Sequence, residues 1–399
     1  MAGSAVQGEP VPLTGPLPPG ARSTGPLSVY IHVPFCATRC GYCDFNTYTA
    51  GELGASTGPD AYVEAALAEI RLARETLVDA PPVSTVFFGG GTPTLLPPNA
   101  LGRLLAEVRT SFGLEPEAEV TTEANPETLD AAVLSALLEA GFTRISIGMQ
   151  SAIPHVLATL DRVHTPGGSV DAARAARAAG FDQVSLDLIY GTPGESASDW
   201  RVSLDAALSA EPTHISAYAL VVEDGTALSR RVRRGEMPLP DDDVLADRYE
   251  VADAVLSAAG LAWYEISNWG SPCRHNLAYW HSDDWWGIGP GAHSHVSGTR
   301  WWNVRHPAMY AKTLGEKRSP AEAREVLSAE ARSDERLLLG IRLAEGLPVT
   351  CIPGDSAAAG TRVAELAAEG LVELPVAQSI RLTLRGRLLA DTVVHELLR

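Results

Sequence analysis

The segment Ala131-Ala132-Val133-Leu134-Ser135-Ala136-Leu137-Leu138-Glu139-Ala140-Gly141-Phe142-Thr143-Arg144-Ile145-Ser146-Ile147-Gly148-Met149-Gln150 holds the pattern that decides the fold. Ala131–Ala140 is built from strong helix formers and predicts a helix. Gly141 stands where a helix C-terminus favours a residue free to take positive φ. Arg144–Gly148 is a short β-rich run, and Gly148, Met149 and Gln150 lie at its C-terminal end.

The same unit recurs. β-rich runs at Ser28–Val33, Ser84–Phe88, Glu119–Thr122, Arg144–Gly148, Gln183–Leu188 and His214–Ala219 alternate with helical stretches at Ala61–Thr76, Leu101–Ser111, Ala131–Ala140, Asp171–Ala179 and Asp199–Leu208. Gly180 stops a helix as Gly141 does. Such alternation implies βαβ units and a parallel sheet, and six strands predict an α/β fold, a partial (β/α)6 TIM-like barrel. Polar and glycine residues cluster at the C-terminal strand ends, where barrels place their chemistry: Phe35-Cys36, Gly89 to Thr92, Glu123 to Asn125, Gly148 to Gln150, and Asp187.

Residues 1–27, rich in Pro, Gly, Ser and Ala, read as a mobile lead-in, and the barrel occupies 28–222. Residues 223–320 read as a linker and an aromatic, histidine-rich subdomain. The linker starts with a solvated loop around Arg230, Arg231, Arg233 and Arg234, followed by a helix over Asp243–Ala258. Seven of the eight Trp fall between Trp263 and Trp302. Residues 321–399 predict a smaller C-terminal domain, helical and ending in a winged-helix-like β-rich wing near Ile380–Leu384.

With 399 residues, 45% of them hydrophobic, the chain can bury a large core. A formal net charge of −18 opposes a nucleic-acid backbone, so no nucleic-acid partner is expected. The N-terminus lacks a basic start followed by an apolar run, and no apolar stretch is long enough to span a bilayer, so the expected compartment is the cytoplasm.

Of the five cysteines, Cys36, Cys40 and Cys43 fall within eight residues, while Cys273 and Cys351 stand alone. An odd, uneven set argues against a disulfide framework and for metal ligation. The trio follows a predicted strand in C-x-x-x-C-x-x-C spacing. Closely spaced thiolates on a short loop suit a 4Fe–4S cubane, and three of them leave one iron open. Structural zinc is the alternative. It wants four ligands in pairs; His32 or Cys273 would have to complete the set, and the three-residue spacer is unusual for it.

These residues resemble the radical S-adenosylmethionine superfamily. Tyr30-x-His32-x-Pro34-Phe35-Cys36, Gly89-Gly90-Gly91-Thr92-Pro93 and His275-Asn276-Leu277-Ala278-Tyr279-Trp280 are similar to motifs of one branch. That branch holds oxygen-independent coproporphyrinogen III oxidases and HemW-type haem chaperones, and the likeness runs from Leu27 to the C-terminus. The oxidases carry a further cysteine two positions after the third cluster cysteine. Here that position is Phe45, as in the chaperones.

The resemblance implies a 4Fe–4S cluster on Cys36, Cys40 and Cys43, S-adenosylmethionine beside it, and haem as cargo for respiratory haem proteins. A homodimer and peripheral membrane association lie within its range. It also implies S-adenosylmethionine contacts from Tyr30, Tyr42, Gly90, Gly91, Thr92, Glu123, Gln150, Arg162 and Asp187. Arg162 is placed to pair with a carboxylate, and Asp187 either binds ribose hydroxyls or caps local backbone. His275 is the expected haem ligand, ahead of His281, His293 and His295. No catalytic residue is assigned.

Overall fold

The computed structural model describes residues 8–12, 15–53, 58–77, 79–162, 165, 167–374 and 378–399. Six neighbouring parallel strands form the predicted barrel: β1 (Leu27–Val33), β2 (Val83–Gly90), β3 (Leu114–Ala124), β4 (Arg144–Gln150), β5 (Gln183–Tyr190) and β6 (His214–Ala219). Helices follow at Pro59–Thr76, Pro98–Phe112, Ala131–Ala140, Gly168–Ala179 and Ala197–Leu208. Gly141 (φ 102°) and Gly180 (φ 113°) end two of them in the left-handed conformation, each returning its N–H to the last turn.

The strand period of two sorts the barrel into an apolar layer and a polar hollow. Val29, Ile31, Val86, Phe88, Val120, Ile145, Ile147, Val184, Leu186, Ile215 and Ala217 join the main hydrophobic core. The alternate positions, among them Tyr30, Phe87, Thr121, Arg144, Ser146, Asp187, His214 and Ser216, line an interior cavity instead. Small hydroxyls and charged groups cannot fill a barrel as branched apolar side chains do, so the interior stays open.

The sheet does not stop at the barrel. Its further strands are β7 (Trp263–Glu265), β8 (Asn268–Gly270), β9 (Asp284–Ile288), β10 (His293–Val296), β11 (Thr299–Asn303) and β12 (Ala321–Val326). Among the described residues the order is Glu9–Pro10, β12, β11, β10, β9, β1, β2, β3, β4, β5, β6, β8, β7. This corrects the expected boundaries. Residues 223–320 are no separate subdomain: β9 pairs in parallel with β1, from Asp284↔Leu27 to Ile288↔Ile31, and β8 pairs with β6. Arg230, Arg231 and Arg233 lie in a helix, Ala227–Arg233, capped by Thr226, not in a loop. The lead-in is partly strapped down. Glu9 and Pro10 pair with Arg324 and Ala323 of β12, and the Arg324 guanidinium donates to Glu9 (2.7 Å) and to the Pro16 carbonyl (3.0 Å). Proline content fits an edge strand, because an edge leaves one row of N–H groups unused.

β12 likewise belongs to the large sheet, so the C-terminal unit begins with the helix Ala329–Gly340. Its own core gathers Leu337, Ile341, Leu347, Val363, Leu366, Ile380, Val393 and Leu397 around a three-stranded sheet of Leu347–Pro348, Ser379–Leu382 and Val372–Glu373. The wing expected near Ile380 is the middle strand of that sheet. Arg387 pins the unit to the barrel through a two-armed pair with Asp253 (both arms 2.8 Å) on the helix Asp242–Ala258. Among the described residues no helix is long and apolar enough to cross a membrane.

Candidate functional site

β1 runs out at Val33, and the chain then turns across the C-terminal mouth of the barrel. Cys36 donates its N–H to the Tyr48 carbonyl (3.0 Å), and Tyr48 returns one to Pro34 (2.7 Å), which closes the loop at its base. Cys43 N–H reaches Cys40 O (3.3 Å), and Gly41 N–H reaches Leu160 O (3.1 Å). The three thiols are half-buried, unbridged and line the cavity together. Burial pushes the Cys43 thiol up to about 11 and raises that of Cys36, and the neighbouring sulfurs add to both shifts. Thiols held this close resist ionising together without a cation among them. Among the described residues no three ligating side chains converge on one ion position. A cubane does not ask for that, because each thiolate binds its own iron.

Glycines let the second strand end fit under this loop. A Cβ on Gly91 would lie 2.3 Å from the Phe35 carbonyl oxygen and 3.1 Å from Cys36 Sγ; on Gly90 it would strike the His32 ring at 2.6 Å. The backbone N–H groups here are not free for a ligand, as a plain reading of the glycine run suggests. Gly90 donates to Glu123 Oε2 (3.1 Å), Gly91 to Val33 O (2.8 Å) and Thr92 to Phe35 O (2.7 Å). The glycines are there for close approach.

The cavity beneath measures about 710 Å³, within the usual range for a small-molecule site. Every residue expected to touch S-adenosylmethionine lines it: Tyr30, Tyr42, Gly90, Gly91, Thr92, Glu123, Gln150, Arg162 and Asp187. Arg162 spans the mouth, with Nη1 3.4 Å from Cys40 Sγ and Nη2 donating to Asn125 Oδ1 (3.0 Å). Asn125 in turn donates to Thr92 Oγ1 (3.1 Å). Asn125 was visible as a polar strand-end residue, but its bridging position between Thr92 and Arg162 has no local signal. Burial, with Asp187 adding to it, pushes the Glu123 carboxyl up to about 8. Gln150 sits at φ 58° with its buried Oε1 unpartnered, so a donor from a ligand would satisfy it. Among the described residues Asp187 caps no backbone: its carboxylate accepts from Ser146 (2.9 Å), Ser216 (2.8 Å) and Ser185 (3.3 Å). A guanidinium, two half-buried carboxyl groups, an orphaned amide oxygen and a thiol trio suit a zwitterionic ligand beside a metal cluster.

The helix Arg274–Trp280 closes the opposite end of the barrel. His275 sits in this floor. His275 is 1% exposed, stacks on Phe87 (5.1 Å), and has both ring nitrogens engaged, Nδ1 with Thr85 Oγ1 (2.7 Å) and Nε2 with the Tyr279 hydroxyl (2.9 Å). Thr85 gives its own proton to Ser28 Oγ (2.8 Å), so it accepts from Nδ1–H, and Nε2 accepts from Tyr279. Burial pushes this imidazole down to about 3, which keeps it neutral. His275 is a strut of the barrel floor and has no free nitrogen for iron. His281 bonds Glu345 (2.8 Å), and buried His295 bonds the Asp283 carbonyl (3.1 Å).

A hollow parallel barrel with three free thiols at its mouth and a charged cavity below them is the architecture of a radical S-adenosylmethionine protein. The family model described as the Radical SAM superfamily matches residues 30–207. The chain is 55% identical over 393 residues to "Heme chaperone HemW" of Mycobacterium tuberculosis, covering 98% of each chain. It is 37% identical over 344 residues to the protein of that name from Synechocystis sp., covering 82% of this chain and 81% of the relative. Among solved structures, coproporphyrinogen III oxidase (HemN) from Escherichia coli superimposes with a TM-score of 0.79 at 23% identity, over 93% of this chain and 90% of that one; at that identity the likeness is one of fold. The chain belongs to the HemW family within the radical SAM superfamily. Membership implies a 4Fe–4S cluster and S-adenosylmethionine, and the donor set described above fits both.

Proposed function

We propose that the chain is a haem chaperone: it holds a 4Fe–4S cluster on Cys36, Cys40 and Cys43, takes S-adenosylmethionine into the barrel cavity, and carries haem to respiratory haem proteins. The observation that carries this reading is the end-to-end 55% identity with a HemW haem chaperone, which includes the cluster loop and the aromatic segment alike. Phe45 supports it against porphyrinogen oxidation, since it stands 60% exposed at the cavity mouth where the oxidases would offer a thiol.

A bound cluster supplies the electron that can cleave S-adenosylmethionine, and that chemistry belongs to the cofactor. The chain's own part is to hold and orient. Arg162 offers a bidentate partner to the methionine carboxylate. Glu123, largely protonated near neutral pH, can donate as well as accept. Gln150 Oε1 accepts from the amino or ribose groups. The floor helix excludes water from below. Under this reading the chain works in the cytoplasm and pairs with a second copy, which sizing of the reconstituted protein tests.

The deciding experiment offers anaerobically reconstituted protein haem in one cuvette and coproporphyrinogen with reductant in another. A Soret shift, followed by transfer of haem to an apo-haem protein, is expected in the first. Decarboxylated product in the second, without haem binding in the first, would replace this function with the oxidase one.

A further inference from the structure

An iron ligand must offer an imidazole nitrogen that is accessible and not already bonded. The aromatic segment holds four histidines of interest: His275 has both ring nitrogens bonded, His295 is buried with Nδ1 bonded to Asp283 O, and His281 gives Nε2 to Glu345, which leaves it Nδ1 alone. His293 differs. It is exposed, and among the described residues neither ring nitrogen has a hydrogen-bond partner.

Its surroundings are built. Register places it on the inner face of the sheet: Tyr30 lies beside Gly287, Trp285 two residues earlier pairs with His295, and His293 pairs with Trp302. The imidazole stacks on Trp302, with ring centres 5.8 Å apart and planes at 26°. Gly8 borders the far edge of that indole. Trp285 Nε1 donates to the His293 carbonyl (3.1 Å), which fixes the backbone. His293 itself is exposed, and the packing around its ring, with Arg305 and Arg300 adding to it, lowers the imidazole's pKa and so favours the neutral form that binds iron. Arg300 is paired to Glu325 and Glu335. Arg305 is exposed and its guanidinium has no partner among the described residues.

We propose that His293 is the axial ligand of the haem iron, with Trp302 setting the imidazole plane and Arg305 receiving a propionate. The proposal rests on the haem-binding reading and adds the ligand to it. An axial imidazole stands on edge to the macrocycle, so a ring stacked on its face orients it without blocking its nitrogen, as outer-sphere partners do at metal sites. A guanidinium is suited to a carboxylate at the rim. The site also adjoins the cluster loop: Asn46, three residues after Cys43, donates to Pro290 O (3.0 Å) before His293 and to Arg305 O (2.8 Å) after it.

The test is an anaerobic haem titration of the cluster-loaded full chain as wild type, His293→Ala and His293→Cys, with cluster absorption as the check on folding. Wild type should give a Soret shift. His293→Ala should bind at least tenfold more weakly and recover with added imidazole. His293→Cys should replace the imidazole-type spectrum with a thiolate-type one, which a merely structural role would not produce. Wild-type affinity and spectrum in both variants overturn the ligand assignment and leave haem binding standing. A wild type that shows no Soret shift at any haem concentration overturns haem binding itself, and the assignment with it.

Discussion

Glu69 lies 1% exposed within the helix Pro59–Thr76, and its carboxylate accepts from Gly289 N–H (2.8 Å), Asn303 Nδ2 (2.7 Å) and the Tyr310 hydroxyl. Three elements are thereby tied to one side chain: the turn after β9, the end of β11 and the helix Pro307–Gly315. Glu69→Ala strands three buried donors at roughly 1–3 kcal/mol each. Some water entry lowers the sum, so the expected loss is about 3–6 kcal/mol, a large share of the ~5–15 kcal/mol typical of a domain. Urea unfolding of cluster-free protein measures it, and a loss below about 1 kcal/mol would refute the pinning role. The same residue sets a pH dependence. Burial outweighs the three donors and pushes the carboxyl from 4.5 up to about 7. Between those values the folded state holds more protons than the unfolded one, so stability is greatest below pH 4.5 and falls as pH rises through 7. At 1.36 kcal/mol per unit the fall is about 3 kcal/mol. Glu69→Gln should flatten that stretch of the curve, and an unchanged slope would show that the titrating group lies elsewhere.

Two more substitutions probe the frame around the site. Arg387→Met removes a guanidinium that pairs with Asp253 and lies 4.3 Å over the Trp263 ring. Breaking a buried pair from one side costs ~3–5 kcal/mol, and limited proteolysis should release residues 329–399 far faster than from wild type. Gly91→Ala drives a methyl into the Phe35 carbonyl and toward Cys36 Sγ. Iron content after reconstitution should fall at least severalfold while far-ultraviolet circular dichroism stays unchanged; full iron loading would mean the loop yields more easily than its geometry implies.

The barrel was legible because its signals are local. Ala/Leu helices, glycine stops and short β-branched runs each sit within ten or so residues, and all six predicted strands appear, five within two residues of their expected bounds and the third extended back to Leu114. What could not be read is pairing over distance. Trp285 lies beside Ser28, and nothing in either segment announces the other, so a continuation of the sheet looked like a subdomain of its own. The Pro- and Gly-rich lead-in failed for a related reason: composition speaks of intrinsic order, and the Glu9–Pro10 strand exists only because β12 offers it an edge. Glu69 did leave a trace, an acidic residue on the Tyr62–Ala66–Ala73 face of a helix otherwise buried there.

Strand alternation carries more than fold class. Along β4 and β5 the residues facing the helices are Ile145, Ile147, Val184 and Leu186, while Arg144, Ser146 and Asp187 face inward, and Ser185 bonds to Asp187 and His214 on that side. A strand buried on both faces in a filled barrel reads as continuous apolar sequence. One that alternates apolar with small and charged residues, with helices over one face, must enclose a polar space on the other. That space needs charged contents matched to its own, and the half-buried Glu123 carboxyl, raised to about 8, is its titratable reporter. Binding of a ligand amino group beside Glu123 would favour the carboxylate and lower that value, and Arg162 at the mouth gives the ligand's carboxylate a partner of its own. The alternation therefore points to a zwitterion within the barrel, while the iron ligand for haem lies on the sheet's extension beyond β1.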